Sequence, residues 1–198
     1  MLRAALVVLL LAGPAHATQE YILPTLFDVT GVAADDVLNL REGPDASAPI
    51  IGALAPDATH IEVVEERRGW GRVNAGERSG WVSLRFLAYR TDVWQDGALP
   101  QGFSCHGTEP FWNVATDGGE LVLDGVDLPA QRHDIGAILG TGVFRDPMRA
   151  VLADDLTLIA TPQICSDGMS DRLFGLRASL IRHGPSPQLL SGCCSIQP

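Results

Sequence analysis

Val37-Leu38-Asn39-Leu40-Arg41, followed by Glu42-Gly43-Pro44-Asp45, is a short alternating run of apolar and polar residues stopped by turn formers. Alternation of this kind places successive side chains on opposite faces of a strand, and Gly-Pro-Asp ends it. The same grammar repeats downstream. Ile50 to Leu54 is a second apolar run, halted by Ala55-Pro56-Asp57. Thr59 to Glu65 alternates again, with Ile61 and Val63 on one face and charges on the other. Gly69-Trp70-Gly71-Arg72-Val73 and Gly80-Trp81-Val82 are two more short strands, separated by polar Asn74 to Ser79. Five short strands within about 60 residues predict a small closed β-barrel.

Composition points the same way. The 198 residues include 21 Gly and 13 Pro, which disfavours long helices and favours short strands with many turns. A hydrophobic share of 46% excludes wholesale disorder. All 14 basic residues are Arg, set against 24 Asp and Glu, for a net charge of -10. Such a chain repels phosphate backbones, so no nucleic-acid partner is expected. The charge is uneven: residues 25–90 carry 10 acids and 7 Arg (net -3), residues 91–198 carry 13 acids and 6 Arg (net -7).

Leu38-Asn39-Leu40-Arg41-x-Gly43-Pro44, Ile51-Gly52-x-Leu54-x-Pro56, Gly69-Trp70-x-x-Val73 and Gly80-Trp81-Val82-x-x-x-Phe86-Leu87 occur in this order across residues 25–90. This string resembles the bacterial SH3 domain. The resemblance implies a five-stranded SH3-type barrel that recognises cell-wall peptide or an envelope protein. Trp70 and Phe86 stand where the related eukaryotic pattern has its groove-lining Trp and Tyr, Phe86 lacking the hydroxyl of that Tyr. Arg41 and Arg72 are the cations that would face an anionic peptide there, with Arg85 a further candidate. Trp81 is expected to pack rather than bind.

At the start of the chain, Arg3, the apolar run Ala4 to Ala12 and Ala15-His16-Ala17 read as a secretory signal over residues 1–17. The run is far shorter than the roughly 20 residues that span a bilayer. The expectation is a secreted, periplasmic protein without membrane span or lipid anchor. Residues 91–101, polar and broken by Gly and Pro, read as a linker.

Residues 102–198 alternate apolar runs with turns such as Asp117-Gly118-Gly119, Asp154-Asp155 and Gly184-Pro185-Ser186-Pro187. Strands are expected at Phe111–Val114, Glu120–Asp124, Ile135–Phe144, Ala150–Leu152, Leu156–Ala160, Phe174–Ile181 and Leu189–Ser191. All four cysteines lie here: Cys105, Cys165, Cys193 and Cys194. A ring between adjacent Cys193 and Cys194 would be strained, so Cys105 and Cys165 are each expected to pair with one of the two, in either order. The predicted fold class is thus all-β: an SH3-type barrel, then a second antiparallel barrel or sandwich stapled by disulfides. The words Cys105-x-Gly107-x-Glu109-Pro110-Phe111-Trp112 and Cys165-x-Asp167-Gly168-Met169-Ser170 resemble those of an uncharacterised family of bacterial envelope proteins.

Chemistry is harder to find. His60, His106, His133 and His183 are scattered and fit no metal-ligand spacing, and no cofactor is expected. Adjacent positions on a strand face opposite ways, so His106 does not serve Cys105 as a base. Asp167-Gly168-Met169-Ser170-Asp171 lacks the acids of an EF-hand and reads as a tight turn. Glu109, Trp112 and Asp167 are the candidate ligand residues of the second domain. The expected function is non-enzymatic binding; the alternative is an envelope hydrolase using Glu109 with Asp167 or Asp171.

Overall fold

A computed structural model describes residues 22–197; the segment read as an export signal lies outside them. No helix among the described residues is long and apolar enough to cross a membrane. Among the described residues the regular structure is nearly all strand.

The first half contains β1 (Thr25–Val29), β2 (Leu38–Arg41), β3 (Ile50–Leu54), β4 (Ile61–Val63), β5 (Glu65–Arg67), β6 (Trp70–Ala75), β7 (Arg78–Ser83) and β8 (Leu87–Tyr89). A single 3-10 turn, Leu84–Phe86, separates β7 from β8. They form two antiparallel sheets, β3-β2-β7-β6-β5 and β4-β1-β8. Phe27, Val29, Leu38, Leu40, Ile61, Val63, Val73, Val82 and Leu87 make the shared core. The alternation read at residues 37–41 is realised in β2, where Leu38 and Leu40 are buried and Asn39 and Arg41 are half-exposed. The run expected as one strand from Thr59 to Glu65 divides into β4 and β5, which lie in different sheets, and β1 and β8 are added, pairing with each other and bringing both ends of the segment together.

The second half forms β9 (Ser104–Thr108), β10 (Phe111–Asp117), β11 (Glu120–Gly125), β12 (Leu128–Leu139), β13 (Arg149–Ala153), β14 (Leu156–Cys165), β15 (Phe174–Arg182) and β16 (Gln188–Ser195). Each pairs with its sequence neighbour, and β16 closes on β9, giving an eight-stranded barrel in place of the alternative sandwich. Closure leaves no free edge along the sheet. Its lumen is filled by Trp112, Val114, Leu121, Leu123, Leu156, Leu158, Leu176, Leu180 and their neighbours. Room for the Trp112 indole comes from Gly107 and Gly192: a Cβ on Gly107 would overlap Nε1 of the indole, and one on Gly192 would overlap the His106 carbonyl. The strand expected to run to Phe144 ends at Leu139, where Gly140 and Gly142 begin a loop; Gly142 has a φ of 77°.

Cys105 pairs with Cys194 and Cys165 with Cys193, and no cysteine is free. Adjacent Cys193 and Cys194 face opposite sides of β16, so one bridge lies inside the barrel and the other outside.

The two barrels share a built seam. The segment read as a linker supplies Val93 and Trp94 to the larger core, and Trp94 Nε1 donates to the Pro24 carbonyl at 2.8 Å. Arg149 stacks over Trp94, 5.0 Å from the ring centroid, and donates to the Gln95 and Ala98 carbonyls. Asn74 Nδ2 donates to the Leu173 carbonyl, and the Leu173 amide returns a bond to Asn74 Oδ1. The Ser79 amide donates to the Asp171 carbonyl at 3.2 Å. Most unexpected is Glu62. It belongs to the charged face of its strand, yet it is 3% exposed because the end of β16 covers it. Ser195 Oγ donates to Glu62 Oε2 at 2.6 Å and the Ile196 amide at 3.2 Å. Burial pushes the Glu62 carboxyl from 4.5 up to about 7, against the pull of those two bonds and of the Arg172 charge.

Candidate functional site

A groove of about 560 Å³ opens on the smaller barrel. Its walls come from the β1–β2 connection, from β2, from the start of β6 and from the 3-10 turn. Trp70 and Phe86 supply the aromatic surface, Arg41 and Arg85 the cations, and Asp36 a carboxylate.

Local structure fixes each of these side chains. Trp70 opens β6, follows the left-handed Gly69 (φ 78°) and pairs with Ser83 in register. The Leu84 amide donates to the Gly69 carbonyl, binding the 3-10 turn to that hairpin. The Thr30 amide donates to the Phe86 carbonyl, and Gly31 (φ 68°) lets the connection pass close to the Phe86 ring. Arg41 Nη1 donates to the Ala48 carbonyl at 2.7 Å, which orients the guanidinium. The Arg85 guanidinium carbon stands 4.4 Å from the Phe86 ring centroid, a cation–π stack. A half-buried indole beside two planar guanidinium groups makes a surface with both apolar area and directed donors.

Arg72, expected in this groove, is not among the residues that line it. Its Nε donates to Ser79 Oγ, its Nη1 lies 3.4 Å from Glu65 Oε2, and its guanidinium covers the buried Trp81 ring at 5.4 Å. Arg67 flanks the same ring at 5.3 Å. Arg72 shares a strand face with Trp70, but two residues along a strand is about 6–7 Å, enough to lean over a different neighbour. Arg85, by contrast, does line the groove.

The larger barrel carries a smaller cleft of about 120 Å³, lined by His106, Asp167, Arg177 and the Cys165–Cys193 bridge among others. His106 Nε2 is 3.7 Å from Asp167 Oδ2, and its ring meets Phe174 edge-on at 4.7 Å. Burial lowers the His106 pKa more than the Asp167 charge raises it. The Asp167 carboxyl ends below its ordinary value. Burial raises it, but hydrogen bonds from the Met169 and Ser170 amides and the Ser170 hydroxyl outweigh that. The Asp-Gly-Met-Ser word is therefore a turn, with Gly168 at φ 71° and Asp167 as its acceptor.

The three candidates of this domain do not converge. Trp112 is 2% exposed and lies in the lumen under Gly107 and Gly192, whereas the outward aromatic of that pair is Phe111, 51% exposed. Glu109 is exposed and does not line the cleft. Asp167 alone reaches it. His106 faces away from Cys105, as strand parity requires, and no local signal announces its distant partners Asp167 and Phe174. Among the described residues no group of His, Cys, Asp and Glu is gathered to hold a metal.

No curated protein and no solved structure matches the chain. The cysteine-containing words of the larger barrel find no family either. Residues 36–88, which carry the groove from Asp36 and Arg41 through Trp70 to Phe86, match the family of the bacterial SH3 domain.

Proposed function

We propose that the protein is a non-enzymatic binding protein of the bacterial envelope, exported by its N-terminal segment, which holds cell-wall peptide in the groove of the SH3-like barrel. The observation that carries this reading is the pairing of Trp70 and Phe86 with Arg41 and Arg85 around one concavity. Aromatic faces take an apolar side chain, and two guanidinium groups take carboxylates, which short wall peptides carry. The charge distribution supports it: cations gather at the groove while the rest of an acidic chain would repel the same ligand.

Incubation with purified sacculi tests it. The protein is expected to pellet with the sacculi, Trp70→Ala to remain in the supernatant, and no soluble fragments to appear. Release of muropeptides that stops in Glu109→Gln would overturn the non-enzymatic reading. Pelleting unaffected by Trp70→Ala would overturn the groove.

A further inference from the structure

The two disulfides differ in what can reach them. Cys105 and Cys194 are 1% and 0% exposed and face the barrel lumen. Cys193 is as buried as these, at 1%, but its partner Cys165 is half-exposed, and the two line the outer cleft together. Cys165 is also the last residue of β14, so the bridge fastens the root of loop 166–173 to β16.

That loop has two further fastenings. Near its start the Asp167 carboxylate accepts from Met169 and Ser170, and Thr108 Oγ1 donates to the Asp167 carbonyl at 3.2 Å. At its far end the Asp171 carbonyl and Leu173 are the partners of Ser79 and Asn74 across the seam. Asn74 and Ser79 flank the tip of the β6–β7 hairpin, and the base of the same hairpin places Trp70 and Ser83 in the groove. One loop therefore joins the exposed bridge to the hairpin that builds the groove.

We propose that Cys165–Cys193 is a thiol–disulfide exchange site for a dithiol reductant, and that its opening releases loop 166–173 and loosens its hold on the β6–β7 hairpin. The proposal does not depend on what the groove binds. A thiolate of the reductant enters the cleft and attacks Sγ of the half-exposed Cys165, and the S–S bond breaks toward Cys193. The departing Cys193 thiolate takes up a proton, and Arg177, its register partner on β15 and a lining residue of the cleft, places a cation opposite it meanwhile. The reductant's second thiol then attacks its own sulfur in the mixed disulfide and frees Cys165, which takes the second proton. Two electrons and two protons pass from the dithiol to the cystine, and the reductant leaves as a disulfide. Cys105–Cys194, shielded by the barrel wall, stays closed.

The whole protein is titrated with dithiothreitol under native conditions, acid-quenched, alkylated and mapped by mass spectrometry, with hydrogen exchange followed on the same samples. Cys165 and Cys193 are expected to alkylate at a reductant concentration at least tenfold below that needed for Cys105 and Cys194. Exchange should rise at both 169–173 and 74–79. Simultaneous opening of the two bridges overturns the proposal, as does selective opening that leaves exchange at 74–79 unchanged. A Cys165→Ser/Cys193→Ser protein should show the faster exchange without reductant. Should that variant fail to fold, the wild-type titration decides alone.

Discussion

The smaller barrel is open where the larger one is full. One sheet, the β1–β2 connection and the 3-10 turn leave a groove of about 560 Å³ walled by Trp70 and Phe86. In the eight-stranded barrel the corresponding bulk, Trp112, points inward and fills the lumen. Both use a Trp near the start of a strand. What differs is closure: a continuous ring of strands encloses Trp112, whereas an open sheet edged by a connection and a 3-10 turn leaves Trp70 and Phe86 at a rim. The lesson is that an accessible concavity follows the gap between elements rather than the residue type.

This contrast breaks most visibly at Gly107. In Gly107→Ala the new methyl must displace the Trp112 indole or the Ser191 carbonyl, so the larger barrel should lose about 4 kcal/mol of stability. Chemical denaturation measures it, and a loss below about 1 kcal/mol would mean that the lumen is not tightly filled.

The seam comes next. The Glu62 carboxyl is raised from 4.5 to about 7 in the folded state, so the neutral form is the one folding favours. Its contribution is complete below pH 4.5 and is lost as pH rises toward 7, a fall of about 3 kcal/mol. His106, whose pKa burial lowers, works in the opposite direction, adding stability as pH rises through the imidazole range. Subtracting the curve of Glu62→Gln from that of the wild type isolates the first effect. A difference that stays flat between pH 4.5 and 7.5 would show that Glu62 is not sealed by the second barrel.

At the groove, Trp70→Ala should weaken peptide binding by about 2 kcal/mol, roughly thirtyfold, and leave the melting of the larger barrel unchanged. The smallest effect sharpens the boundary of that site. Arg72→Ala removes a partly exposed ion pair with Glu65, worth less than about 1 kcal/mol, and should leave peptide affinity within twofold. A tenfold loss there would return Arg72 to the groove.

Much of the architecture is legible in the sequence because period-two alternation and turn words act locally. Leu38 and Leu40, or Leu121 and Leu123, declare a buried face without help from any other segment. Alternation says that Phe111 and Trp112 face opposite ways, but not which faces inward; Gly107 opposite in the neighbouring strand and Gly192 from the distant β16 decide that. Glu62 marks the same limit. Its strand has a charged face, and only the arrival of Ser195 and Ile196 from the far end of the chain turns that face into an interior. Strand β9 carries only a weak pattern of its own, because Ser104 to Thr108 is mostly polar and Gly107 is kept small for the indole. The groove is traceable through Trp70, Arg41, Arg85 and Phe86, while Arg72 drops out because lean along a strand is set by neighbours.

The Cys105–Cys194 bridge ties the first strand of the larger barrel to the last, across 89 residues of sequence. Seen mechanically, the barrel is a fastened hoop. A pull applied through the chain on either side of it runs from β9 to β16 through the sulfur bond, and the strands between carry no tension. About 300 Å of extended chain is thereby withheld while the bond lasts, so load along the chain would be spent on the seam and the smaller barrel first.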